Sequence, residues 1–162
     1  MRLKNSLLNL NRVTQGLVSF GISLILSLGI ASCQSQIKTP KLITVPLDRV
    51  VSGQTVEIML KGATERVRII GIDVPPEAKQ AAQAQLQQIL GSDIIDLEIV
   101  KPDKDRYDRI LAHIWQDDKL IAEELAKIGY ALANTKYPNK YRDRIWHAQE
   151  YARILDYGIW QD

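Results

Sequence analysis

Arg66 to Glu77 reads RVRIIGIDVPPE, and the fold turns on how this stretch is divided. Val67, Ile69, Ile70 and Ile72 are β-branched and alternate at first with Arg66 and Arg68, which predicts a strand over Arg66 to Ile72. Pro75-Pro76 then stiffen the chain, and from Ala78 the period changes. Ala78 to Leu90 has no β-branched residue before Ile89, while Ala82, Leu86, Ile89 and Leu90 recur at helical spacing, with Gly91 as a stop.

Working outward, Thr44 to Val51 and Thr55 to Leu60 read as two earlier strands, with Ser52-Gly53 and Lys61-Gly62 supplying hairpin turns. Downstream, Ile94 to Val100 and Ile110 to Gln116 read as strands separated by the charged stretch Lys101 to Arg109. Helices follow near Leu120 to Ile128, ended by Gly129, and near Lys140 to Leu155. The order βββαββαα predicts an α+β domain built on a five-stranded barrel, the OB-fold, because closure removes exposed sheet edges. Fold alone does not establish function.

Residues 1–33 have a different character. Arg2, Lys4 and Arg12 are followed by the uncharged apolar run Leu17 to Ala31 and then by Ile30-Ala31-Ser32-Cys33. This is the layout of a secretory signal, and its apolar run is shorter than the ~20 residues a spanning helix needs. IASC resembles the lipobox of bacterial lipoproteins, which implies lipidation of Cys33, a tether over residues 34–43, a folded domain over 44–162, and an exported protein held on a membrane by lipid with no transmembrane helix after processing. Cys33 is the only cysteine, so no disulfide is expected. The chain has 21 basic and 19 acidic residues, and removing the three basic ones before Cys33 leaves 18 against 19. A basic surface of the kind that marks general nucleic-acid binders is therefore absent, and affinity for a polyanion must come from a local cluster.

Such a cluster is available. Arg68 and Asp73 lie at one strand end, and DRYDR, Asp105 to Arg109, carries a second arginine at another. Guanidiniums grip phosphate oxygens in a fork, and a carboxylate holds a hard cation. Plainer readings sit beside this one. Arg68 alone reads as an exposed strand residue paired with Glu57 or Glu65, and Asp73 as a cap for the turn into the Ala78 helix. His113 reads as a packing residue, and His147 with Glu150 is too small a set for zinc. Trp146, Tyr151, Ile154 and Leu155 read as the buried stripe of the last helix, with Arg142, Asp143 and Arg144 on its solvated face.

RVVSGQT, VRIIGIDVPP, DRYDR, LIAEELAKIGYA, the Tyr137-Pro138 region, AQEYAR and GIW, in this order, resemble the staphylococcal nuclease (thermonuclease) family over Pro46 to Trp160. The resemblance implies a Ca²⁺-dependent hydrolase of DNA and RNA phosphodiesters. It assigns Arg68 and Arg109 to the phosphate, Asp73 and the Val74 carbonyl to calcium, and Arg106, Tyr107 and Tyr137 to nucleotide. Ser52 and Gln54 replace the two aspartates of the family's D-G-D-T, so Gln54 offers the metal only a neutral oxygen. Pro76 stands where the family has its catalytic glutamate, with Glu77 as the neighbouring carboxylate, and Asp108 replaces a glycine before Arg109. The expectation is a nuclease-like domain with a weakened calcium site and weak or lost hydrolysis. The alternative is a non-catalytic module of the cell envelope that binds nucleic acid, another phosphorylated ligand or a protein.

Overall fold

The computed structural model describes residues 41–91 and 94–161. The signal segment, Cys33 and the tether as far as Pro40 lie outside the described residues. The chain forms β1 (Ile43–Ser52), β2 (Thr55–Leu60), β3 (Ala63–Ile69), β4 (Ile72–Asp73), α1 (Lys79–Ile89), β5 (Ile94–Lys104), β6 (Ile110–Gln116), β7 (Lys119–Leu120), α2 (Ile121–Lys127), β8 (Leu132–Ala133) and α3 (Arg142–Ile154).

β1, β2 and β3 make an antiparallel meander. Lys61 and Gly62 turn between β2 and β3 with φ of 53° and 82°, the paired left-handed geometry that suits a twisted hairpin. β5 returns beside β1, β6 pairs with β5, and a parallel seam between β3 and β6 closes the five long strands into a barrel. The expected OB-fold is the observed one. Val56, Ile58, Val67, Ile69, Ile95, Leu97, Ala112 and Ile114 fill the interior, and α1 closes against it through Ala82 and Leu86.

Arg66 to Glu77 is divided differently from expectation. The strand ends at Ile69, and Gly71, with φ of 86°, turns the chain into the separate strand β4. That φ favours glycine, and a Cβ at Gly71 would also lie 2.4 Å from Asn139 Nδ2, which would have to shift. β4 pairs with β8, placing Asp73 opposite Leu132 and Ile72 opposite Ala133. β-branched residues recur on both sides of Gly71, at Ile70 and Ile72, which is why composition alone extended the strand.

The last helix also corrects an expectation. Its buried face is Ile145, Ala148 and Ala152, whereas Trp146, Tyr151, Ile154 and Leu155 are 50%, 46%, 70% and 42% exposed. α3 lies against α2, and alanines at 148 and 152 let the two backbones approach. The large apolar residues then fall on the outer face. Arg142, Asp143 and Arg144 are exposed as expected. No helix among the described residues is long and apolar enough to cross a membrane.

Candidate functional site

The β3–β6 seam brings the two arginine segments together. Its register sets Arg68 beside Leu111 and Val67 beside Ile110, and Arg109 reaches Thr55, the β2 residue opposite Arg68, which brings the two arginines to the same barrel end. Arg68 is only 6% exposed. It donates through Nη2 to the Ile72 carbonyl at 2.7 Å and to Asp73 Oδ1 at 2.6 Å, and through Nη1 to the Ile69 carbonyl. The reading of Arg68 as a surface partner of Glu57 or Glu65 is thereby replaced. Glu57 pairs instead with Arg49 at 2.7 Å and Arg66 at 2.9 Å, and Glu65 with Lys104 at 3.3 Å. Burial pushes the Arg68 guanidinium below its usual range, Asp73 opposes that push, and the nearby charge of Arg109 adds to it. Arginine stays protonated regardless. Its hydrogen bonds fasten the break around Gly71, so Arg68 holds the backbone that presents Asp73.

DRYDR is organised by Asp105, whose side chain is 2% exposed. Oδ1 accepts from the backbone N–H groups of Tyr107 at 2.9 Å and Arg109 at 3.1 Å, while Oδ2 accepts from Arg109 Nε at 2.9 Å and Nη2 at 2.6 Å. Burial alone pushes the Asp105 carboxyl up, but these four donors together hold it below its ordinary range. Asp108 has φ of 60°, so aspartate does adopt the turn conformation that the family gives to glycine. Its carboxylate pairs with Lys104 at 3.1 Å, leaving Arg109 to Asp105 and to Thr55 Oγ1 at 3.4 Å. Tyr107 is 63% exposed, with Arg106 4.7 Å and Arg109 5.4 Å from its ring centre. Arg106 also donates to the Tyr107 hydroxyl at 2.6 Å.

Beside this loop lies a cleft of about 300 Å³, lined by Lys104, Arg106, Arg109, Lys136, Tyr107 and Tyr137 among others. Sequence reading had marked Arg106, Tyr107, Arg109 and Tyr137 for this role, and the fold brings all four together. It missed Lys104 and Lys136. Lys136 lies 5.6 Å from the Tyr137 ring centre, but it sits in a linker without periodicity, and Lys104 continues β5 past its expected end.

The corner assigned to the metal is different in character. Asp73 Oδ1 accepts from Arg68, and Oδ2 accepts from Asn134 Nδ2. Neither helical segment that follows has a side-chain cap hydrogen bond, so the capping reading of Asp73 is not the observed one. Gln54 Oε1 accepts from Val74 N–H at 3.1 Å, and Ser52 Oγ accepts from Gln54 N–H at 3.4 Å. Pro76 begins a short 3₁₀ turn over Pro76–Ala78, and Glu77 is exposed within it. Among the described residues, no three His, Cys, Asp or Glu side chains come together as a metal-holding group. Calcium takes six to eight oxygens, with affinity rising with the number of carboxylates. One hydrogen-bonded carboxylate, an amide and a carbonyl do not fit that demand.

His113 belongs to a separate packed group. It is fully buried, edge-on to the Tyr141 ring at 4.7 Å, and neither ring nitrogen has a hydrogen-bond partner. Glu150 pairs with Arg153 at 2.9 Å, while His147 lies beside Trp146.

A closed five-stranded barrel with three helices, carrying arginines and an exposed tyrosine at one barrel end, defines an OB-fold domain with a basic, tyrosine-lined cleft. The model of the staphylococcal nuclease homologue family matches residues 66–162, and the chain belongs to this family. It is 35% identical over 129 residues to the thermonuclease of Staphylococcus hyicus, covering 74% of this chain and 76% of the relative. It is 37% identical over 123 residues to the thermonuclease of Staphylococcus intermedius, covering 70% and 73%. Endonuclease YncB of Bacillus subtilis is 31% identical over 132 residues, covering 74% of this chain and 63% of the relative. The domain is thus nuclease-like in fold and sequence.

Proposed function

We propose that this chain is a membrane-tethered nuclease-family domain that grips single-stranded nucleic acid in the Lys104–Arg106–Arg109–Lys136 cleft, with hydrolysis weak or lost. The cleft carries the reading. Four cations and two tyrosines line it, and the carboxylate of Asp105 is turned inward onto Arg109. Cations attract the phosphate backbone, and exposed rings offer faces on which bases of any sequence stack. Arg109 and Arg106 are the phosphate-facing groups, Tyr107 and Tyr137 the stacking groups, and Arg68 is a positioning residue that fixes Asp73.

Hydrolysis needs more than binding. A general base typically supplies about 10²- to 10⁴-fold in rate, and Pro76 supplies none. Glu77 is the remaining carboxylate of that turn, exposed one residue away from the family's position. Export and lipidation at Cys33 place the domain on a membrane within reach of extracytoplasmic polynucleotide.

Fluorescence anisotropy with a labelled single-stranded oligonucleotide tests the binding half. Affinity should fall with salt, and Lys136→Ala should weaken binding and reduce the slope of log K against log salt by about 0.7 to 1. Absence of binding at low salt would instead support a protein-interaction module with a vestigial cleft.

A further inference from the structure

We infer that Gln54 replaces the bridging cation with a hydrogen bond, so that this cleft binds nucleic-acid phosphate without any divalent metal. The inference rests on the nucleic-acid reading above and concerns how the site is held together. The β1–β2 turn carries Gln54, while β4 carries Asp73 and is followed directly by Val74. A cation coordinated by both would tie them. Here the Gln54 side-chain carbonyl accepts from Val74 N–H at 3.1 Å across 20 residues of sequence, making a direct tie.

The turn is fixed on its other sides as well. The backbone carbonyl of Gln54 accepts from Ile69 N–H at 3.0 Å, joining the turn to the end of β3. Gly53 rests directly on α1, since a Cβ there would lie 2.4 Å from Ala82 Cβ. Gln83 Nε2 donates to the Val50 carbonyl at 3.3 Å on the strand leading into the turn. Every element that a metal would draw together is already joined by protein hydrogen bonds or close packing.

Charge leads to the same conclusion. Several carboxylates facing one cleft repel a phosphate until a cation neutralises them. This corner has one carboxylate, Asp73, and the buried Arg68 guanidinium pairs with it at 2.6 Å. Ser52 and Gln54 are neutral. The pair leaves the corner without net negative charge, while in the neighbouring cleft Asp105 and Asp108 are paired with Arg109 and Lys104, and Arg106 and Lys136 are engaged with tyrosines. A phosphate approaching from that side meets no barrier that calcium must remove.

The test titrates the full chain in detergent with a fluorescein-labelled oligothymidylate, in excess calcium and in excess EDTA. The parent's dissociation constants should agree within about twofold. Gln54→Asp places a second carboxylate beside Asp73 and removes a neutral acceptor, so its binding in EDTA should weaken about tenfold and recover on calcium addition. A tenfold loss of parent binding on chelation would overturn the inference while leaving the nucleic-acid reading intact. Failure to bind in either condition would overturn both. The parent comparison stands even if the Gln54→Asp chain does not fold.

Discussion

Replacing Arg68 by methionine separates a structural arginine from one that serves ligand. The substitution keeps an unbranched apolar stem, two atoms shorter than arginine, and removes donors to the Ile69 and Ile72 carbonyls and to Asp73. A buried acceptor that loses its donor costs about 1–3 kcal/mol, so the two carbonyls account for ~2–6 kcal/mol. The tie to Asp73, whose side chain is 55% exposed, adds at most about 1 kcal/mol after solvent screening. Part of this is returned, because a guanidinium no longer has to be desolvated. The net expectation is a loss of about 3 kcal/mol, a large share of the ~5–15 kcal/mol that stabilises a domain. Urea unfolding followed by tryptophan fluorescence should show the midpoint falling by about 1–3 M at an unchanged slope. Arg68→Lys should recover part of the loss, since an ammonium reaches fewer of the three acceptors. A change below about 0.5 kcal/mol in Arg68→Met, with oligonucleotide binding reduced, would refute this reasoning and show that the guanidinium faces ligand.

Three further outcomes are expected. His113 is buried without a hydrogen-bond partner, and burial pulls its pKa down to about 4 despite the attraction of Glu98 and with some help from Lys140. The unfolded chain takes up that proton first, so folding stability should fall by ~3 kcal/mol as pH drops from about 6.5 to 4, and His113→Phe should flatten this slope in acid titrations. Below about pH 4 a second loss should follow in both proteins as Asp105 and Glu98, held below the usual carboxylate range in the fold, take up protons. Ile154→Ser should change stability by less than about 0.5 kcal/mol, whereas Ile145→Ala should cost ~2–5 kcal/mol, because the first is 70% exposed and the second fully buried. Cys33→Ala should move the protein from the membrane fraction to the soluble fraction, as fractionation with an antibody would show.

The barrel was legible because its strands are rich in β-branched residues and its turns carry Gly53 and Lys61-Gly62, signals that act locally. β2 and β6 have the bounds expected from sequence. What local signals hid depends on contacts distant in sequence. Gly71 breaks the third strand through its left-handed φ of 86°, and β4 is paired with β8, which is distant in sequence. Helical periodicity in α3 marked large apolar residues, but proximity to α2 selects small ones for the interface. At the site, Arg68, Asp73, Arg106, Tyr107, Arg109 and Tyr137 could be picked out from motif matches. Their partners could not, since Asn134, Asp105 and the Val74 N–H reveal their roles only once the strand ends meet.

A calcium-versus-chelator nuclease assay on the parent, beside a Gln54→Asp, Pro76→Glu double variant, tests the central claim most directly. The parent should release little or no acid-soluble nucleotide in calcium and be unaffected by chelation. The double variant should gain calcium-dependent cleavage because a carboxylate returns both beside Asp73 and at the position of the family's catalytic glutamate. Rapid calcium-stimulated hydrolysis by the parent, abolished by chelator, would contradict the claim.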